Sequence, residues 1–249
     1  MRWALRSAMS DTPPKAPPKP AFREVTFEDE GGAWAVKLDG RPLKTPGGQP
    51  YRLPTRALAE GIAAEWQAAA PAVPKRGALP LTQMAGTALD RIARNRADIE
   101  TQLLDYAQTE LLCHRADHPP ELVARQAVLW QPLLDWLAVR HDALLAHTAG
   151  VMPRAQASAS LAALRAALAA LDDWRLAALS VAVAASGSLV IGLALLDGRL
   201  TAAAAFDAAE LDATWQIETW GEDEEARRRR AGVRRELELV ERFLKLLQA

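Results

Sequence analysis

The chain of 249 residues has one cysteine, Cys113, which excludes an intramolecular disulfide framework and a cysteine-based zinc cage and fits a reducing compartment. It also lacks net charge. Thirty Lys and Arg against 31 Asp and Glu leave −1, so no long-range field draws it to nucleic acid phosphates or acidic lipid, and a partner must be recognised by local surface. The opening "MRWALRSAMSDTPPKAPPKP" holds no apolar run of the length a secretory signal needs, and its Pro/Lys composition reads as an extended, solvated tail over residues 1–20. Export is not expected. The one long uncharged run, Leu176 to Leu196, lacks an aromatic belt and has mixed charge on both flanks, Asp173 and Arg175 before it, Asp197 and Arg199 after. Ser186-Gly187-Ser188 divides it, so a buried pair of shorter helices is expected and stable membrane insertion is not.

What is present is hydrophobic mass, half of all residues, enough for a sizeable core. From Phe22 to Leu53 the pattern is strand-like: "FREVTF" and "AWAVKL" alternate across "EDEGG", and "PYRLPT" adds a short extended piece. Beyond Thr55 the period is helical. Thr55 and Thr82 read as N-caps of the first two helices, followed by stripes through Ile99, Leu103 and Leu111, through Leu122, Leu129, Leu133 and Leu137 with Pro132 as a bend or restart, and through Leu161, Leu164, Leu168 and Leu171. Ala226, Val233, Leu237, Val240, Leu244 and Leu247 mark one long terminal helix. The fold class expected is α+β, with a small β-rich domain over residues 21–54 and a multi-helical domain over residues 55–249.

The chemical candidates are few. "LDGRPLKTPGG", Leu38 to Gly48, is rich in the residues of an anion loop, yet Lys44 precedes the glycines and an extended segment follows. It therefore reads as two tight turns, with Arg41 and Lys44 as exposed cations. His114 and His118 stand at helical i, i+4 spacing, but Pro119-Pro120 follow and no third ligand is marked, so they read as a helix C-terminus rather than a metal site. "ASGSL" is not a nucleophile elbow, Cys113 has no activating helix start, and Asp90, Arg91 and His114, the best enzyme-like set, are not brought together by any pattern. "RRRR" at Arg227 to Arg230 follows "EDEE" at acid-before-base spacing, with Asp223, Glu224 and Glu225 four residues before Arg227, Arg228 and Arg229, and so reads as a solvated face. Of the eight tryptophans, Trp66, Trp130, Trp136, Trp215 and Trp220 lie in helical patterns, and Trp215 and Trp220 border the acids from Glu222 to Glu225. That pairing is equally compatible with core and with a protein-binding surface.

The segments "VKLDGRPLKTPGG", "RLPTRALAEGIAAEW", "LPLTQMAGTALDRI", "LLDYAQTELLCHRA", "LWQPLLDWL", "SGSLVIGLALLDGRL" and "WQIETWGEDEEA", in this order, together resemble the family of ATP-synthase assembly chaperones that attends the alpha subunit of the F-type catalytic head. The resemblance spans about residues 22 to 247. It implies a small N-terminal β domain and a larger helical one. It also implies a protein that is not an enzyme and needs no cofactor, and that holds the newly made alpha subunit against aggregation until beta subunits replace it. The compartment it implies is the bacterial cytoplasm, or the mitochondrial matrix in a eukaryote; a monomer is expected when free. The motif matches at Asp212, Gln216, Trp220, Gly221 and Glu222 and departs at Ala213 and Thr214, where extra acids are common in the family. It implies a partner-binding surface of Asp212, Trp215, Gln216, Trp220, Glu222 and Asp223. Glu222, with Ala226 four residues on, is expected to lack a helical basic partner and to be free for one on another chain.

Overall fold

The computed structural model of the chain describes residues 22–70, 77–150 and 154–249; the tail expected over residues 1–20 lies outside them. The fold is α+β, as the alternating and helical periods require. Strands β1 (Val25–Asp29) and β2 (Trp34–Leu38) form an antiparallel hairpin, with Val25 opposite Leu38 and Asp29 opposite Trp34. Asp39 and Gly40, both at positive φ (48° and 75°), then reverse the chain into β3 (Arg41–Pro42). Strand β4 (Arg52–Leu53) pairs with β2 as well. The buried side chains Val36 and Leu53 belong to the same hydrophobic cluster as those of the helices.

The stretch from Leu38 to Gly48 is the pair of turns that its composition dictates, and a helix fixes it in place. Asp90 accepts hydrogen bonds from Thr45 Oγ1 and the Gly47 backbone N–H, each at 2.8 Å. A Cβ on residue 47 would overlap that carboxylate, which is why glycine stands there. Asp90 belongs to a π-helical turn, Thr87–Ile92, between α2 (Pro80–Gly86) and α3 (Ala93–Gln108). The widened turn was not foreseen from periodicity.

Helix α1 (Arg56–Ala69) begins as expected, Thr55 Oγ1 accepting from Leu58 N–H at 3.2 Å and donating to the Leu246 carbonyl at 2.6 Å. Helix α2 corrects the expectation for Thr82. Its N-cap is Leu79, three residues earlier, and its N–H groups are capped from another helix: Glu65 accepts from Leu81 N–H at 2.7 Å, Thr82 N–H at 3.0 Å and Thr82 Oγ1 at 2.9 Å. After α3 comes a 3₁₀ turn, Leu111–Cys113. His114 corrects a second expectation, since it lies not at a helix end but in β5 (His114–Arg115), which pairs in parallel with β6 (Thr148–Ala149). Helix α4 (Pro120–His141) runs through Pro132 without a break, the proline ring facing outward.

The apolar run is a buried pair: α6 (Asp173–Ser186) and α7 (Leu189–Leu196), parted by Gly187 at φ 72°. Helix α5 (Ser158–Ala169) precedes them; α8 (Ala202–Ala209), α9 (Leu211–Trp220) and α10 (Glu224–Leu246) follow. Among the described residues no helix is long and apolar enough to cross a membrane.

All eight residues of α7 are buried, so its first N–H groups have no water to turn to. Glu110 meets that need. One carboxylate oxygen accepts from Leu189 N–H at 2.9 Å and Val190 N–H at 3.3 Å; the other accepts from Leu112 N–H at 3.3 Å and from the Ser188 hydroxyl. Ser188 Oγ in turn accepts from Ile191 N–H at 3.0 Å. Each apolar side chain buried on α7 contributes roughly 1.5–3 kcal/mol, and each unmet buried N–H costs about 1–3 kcal/mol. Without the cap, much of the gain from the helix would be lost.

Glu110 is fully buried with no basic side chain paired to it among the described residues, and burial pushes its carboxyl up to about 7, the hydrogen bonds from Ser188 and the backbone N–H groups pulling it partly back. In the unfolded chain it titrates near the ordinary 4.5. Folding therefore favours the protonated acid: this contribution to stability is complete below about pH 4.5 and is lost as pH rises to about 7. At 1.36 kcal/mol per pH unit the span is on the order of 3 kcal/mol. Urea unfolding of the wild type and of Glu110→Gln is expected to show the difference between them shifting against the wild type from pH 5 to pH 8. A difference that stays constant over that range would contradict the assignment.

Candidate partner-binding site

The last three helices are joined tightly, and the joints position the site. Glu210, between α8 and α9, is buried and gripped by the basic run of α10: Arg229 donates to its two oxygens, each at 2.7 Å, and Arg230 Nε lies at 3.4 Å. The hydrogen bonds to Glu210 raise the Arg229 guanidinium above its ordinary range. Arg230 also donates to Thr214 Oγ1 at 2.7 Å, and Arg234 stacks 3.9 Å from the centre of the Phe206 ring. The arginine run is thus only half the solvated face expected. Arg227 and Arg228 pair with Glu224 at 2.8 and 2.9 Å, while Arg229 and Arg230 fasten α9 and α8 to α10.

On the other flank α8 and α9 are both held by α4. Trp130, fully buried, donates its indole N–H to the Ala208 carbonyl at 2.9 Å. Arg125 lies 4.8 Å from the centre of the Trp215 ring and pairs with Glu218 at 2.6 Å. Gln126, 2% exposed, is fixed at both ends of its amide: Oε1 accepts from Ala116 N–H and Nε2 donates to Asp212 Oδ1, both at 2.8 Å.

Between α9, the first turns of α4 and the segment from His114 to Pro119 lies a groove of about 680 Å³. Asp212, Trp215, Gln216 and Trp220 all line it, at positions i, i+3, i+4 and i+8, one face of the helix. Asp212 has no basic side chain within 4 Å among the described residues, in contrast to Glu210, Glu218, Glu222 and Glu224. Trp220 is 76% exposed at the end of the helix, where Gly221 (φ 89°) releases the chain. A large aromatic so exposed is not core, so the two readings of this tryptophan separate in favour of surface.

The other two residues expected at the site are elsewhere. Asp223 is the N-cap of α10, accepting from Ala226 N–H at 2.7 Å, rather than a partner for Arg227. Glu222 is not free: Arg227 Nε lies at 3.4 Å and Arg230 Nη1 at 3.6 Å. Counting four residues forward missed both, because the turn at Gly221 swings Glu222 back toward arginines five and eight residues on. Conversely, Gln126 and Glu210 were not anticipated. Gln126 carried a signal, since a polar residue on the inward stripe with Leu122, Leu129 and Leu133 demands a buried partner.

His114 and His118 line the groove, His118 paired with Asp117. Among the described residues no group of three metal-ligating side chains assembles. Cys113 is buried, and its thiol is pushed up to about 12, first by burial and then by Glu110. Asp90 is spent on the turn at Thr45, and Arg91 lines a different groove, between α3 and α6, from His114. The enzyme-like set is not brought together.

Residues 19–138 match the family described as ATP12 chaperone protein. The chain is 26% identical over 224 residues to the mitochondrial protein atp12 of Schizosaccharomyces pombe, covering 84% of this chain and 77% of that one. Its fold superposes on the crystal structure of Atp12 from Paracoccus denitrificans with a TM-score of 0.87 at 43% identity, covering 92% of this chain and 98% of that one. A point mutant of the same bacterial protein gives 0.86 at 43% identity, covering 91% and 96%.

The exposure of Trp220 has a direct consequence for stability. Trp220→Ala is expected to change the unfolding free energy by less than ~0.5 kcal/mol, as for most surface positions, whereas Trp130→Ala should cost about 3–5 kcal/mol. Thermal or urea melts of the two variants check this. A loss of several kcal/mol for Trp220→Ala would show that the ring is packed.

Proposed function

The chain belongs to the ATP12 chaperone family, and from that premise we propose that it holds the unassembled alpha subunit of F-type ATP synthase, without catalysis, until the catalytic head assembles. The compartment of this work is the cytoplasm of a bacterium or the mitochondrial matrix. The observation that carries the reading is the groove beside α9. Its aromatic anchor, Trp220, projects into solvent, and its carboxylate, Asp212, is oriented by Gln126 with no basic side chain within 4 Å among the described residues. An aromatic anchor within a polar rim is the pattern of a protein-binding hot spot.

The groove holds four of the six residues of the partner-binding surface that the family resemblance implies, Asp212, Trp215, Gln216 and Trp220, and these form the contact surface in this reading. Glu222 and Asp223 serve the turn into α10 and flank it. A holdase of this kind covers an apolar assembly edge at moderate affinity and yields it when a larger native interface competes. Neither step draws on nucleotide hydrolysis, and the chain carries no phosphate loop.

The test is solubility of the alpha subunit on co-expression. The wild-type chain is expected to keep it in the soluble fraction. Asp212→Lys is expected to abolish that protection while lowering stability by about 1–3 kcal/mol, the cost of leaving the buried amide N–H of Gln126 unpaired, which a thermal melt separates from unfolding. Glu222→Lys, which loses the pairs with Arg227 and Arg230 outside the groove, should retain most of the protection. Normal protection by a folded Asp212→Lys chain would remove the contact from this groove. An alpha subunit equally insoluble with and without the wild-type chain would overturn the function.

A further inference from the structure

Four large hydrophobic side chains are exposed among the described residues: Val128 at 77%, Val139 at 90%, Leu144 at 74% and Trp220 at 76%. Singly such residues are ordinary; their placement is not. Val128 and Val139 are both on α4, Leu144 follows its end, and Trp220 closes α9, which packs on the first turns of α4. Eleven residues are within about 20° of three full turns, so Val128 and Val139 fall on one line along the helix, about 16 Å apart. Glu121 and Asp135 lie seven residues to either side of Val128 on nearly the same line, and both are exposed. Beside Val128 a second groove, of about 440 Å³, opens between α4 and α9, floored by Leu129 and Leu211 and edged by Asp207.

The charges along this face are one-sided. Both arginines of α4 are used within the chain, Arg125 by Glu218 and Arg140 by Asp197. Glu121, Asp135 and Asp207 have no basic side chain within 4 Å among the described residues, and the same holds for Asp212 across α9; the arginines that line the two grooves are engaged elsewhere, Arg125 by Glu218 and Arg115 by the Leu112 and Gln126 carbonyls, so the acids left without a partner lie on both sides of that helix. We infer that the outer face of α4, with the groove beside Val128, is a second docking surface, for an apolar segment of the captured alpha subunit flanked by lysine or arginine. The apolar line supplies contact area, and the unpaired carboxylates select basic flanks and reject acidic ones. The inference rests on the function proposed above and extends its contact from one side of α9 to both.

The experiment uses full-length chain and alpha subunit diluted from denaturant, with light scattering as the readout of aggregation. In the double variant Val128→Lys, Val139→Lys both changes are at exposed helix positions where lysine is the better helix former, and a thermal melt confirms folding. At least ~10-fold more of this variant is expected to be needed for half-maximal protection, the scale of a lost hot-spot contact. Glu121→Gln with Asp135→Asn is expected to raise the required concentration at low salt and to flatten its salt dependence. Wild-type protection by the folded lysine variant overturns the inference. So does a wild-type chain that sediments as a dimer which the lysine variant splits, since the face would then belong to a second copy. If the lysine variant protects normally while Asp212→Lys fails, this inference falls and the proposed function stands. If the wild-type chain gives no protection, both fall together.

Discussion

The helical part of the molecule depends on one carboxyl group, that of Glu110, set against the start of a helix with no access to water. Helix α7 is buried on every side, and α4, α6 and α8 pack around it. A helix in that position has side chains that favour it and N-terminal amides that oppose it. Glu110 and Ser188 reconcile the two by accepting from Leu189, Val190 and Ile191. Among the described residues no arginine or lysine shares the task. A cation there would have added a second buried charge and a second desolvation cost, whereas a carboxyl whose titration is moved upward by burial leaves the core close to neutral.

The site applies the same chemistry with the opposite outcome. Glu210 and Asp212 are two residues apart on either side of the start of α9. The first is enclosed and gripped by Arg229 and Arg230. The second is held at one oxygen by the amide of Gln126 and presents the rest of its charge to a groove. One acid fixes the helix and the other faces outward from it. Because Gln126 is neutral, it orients Asp212 without cancelling its charge, which an arginine at that position would do.

Much of this was legible in the sequence, and the division is physical. Elements set by a local period or a local turn were readable: the hairpin from Val25 to Leu38, the Asp39-Gly40 turn, the Thr55 cap, the helix pair broken at Gly187 and the long stripe of α10. The face of α9 was readable too, since Asp212, Trp215, Gln216 and Trp220 recur at helical spacing. What escaped were polar contacts between distant parts of the chain. Glu65 caps α2 from 16 residues away, Glu110 caps α7 from 79, and Gln126 holds Asp212 from 86. Nothing in a local pattern encodes such pairs. Glu222 failed for a related reason, since four-residue counting presumes an unbroken helix and Gly221 interrupts it.

Helix α9 has one buried residue, Leu211, and is otherwise held by single polar contacts at Gln126, Arg125 and Arg230. Its joints are polar and its buried apolar area is small, so opening this helix is expected to cost less than opening the core beneath it. Its amide protons would exchange with solvent through that local opening, while those of α6 and α7 wait for global unfolding. In the proposed function, a partner bound to α9 would restrain that opening and give up part of its binding energy to rigidity. In the proposed function, a contact made on such a helix would form and let go readily, and the small apolar area beneath one surface helix would set how easily the partner leaves.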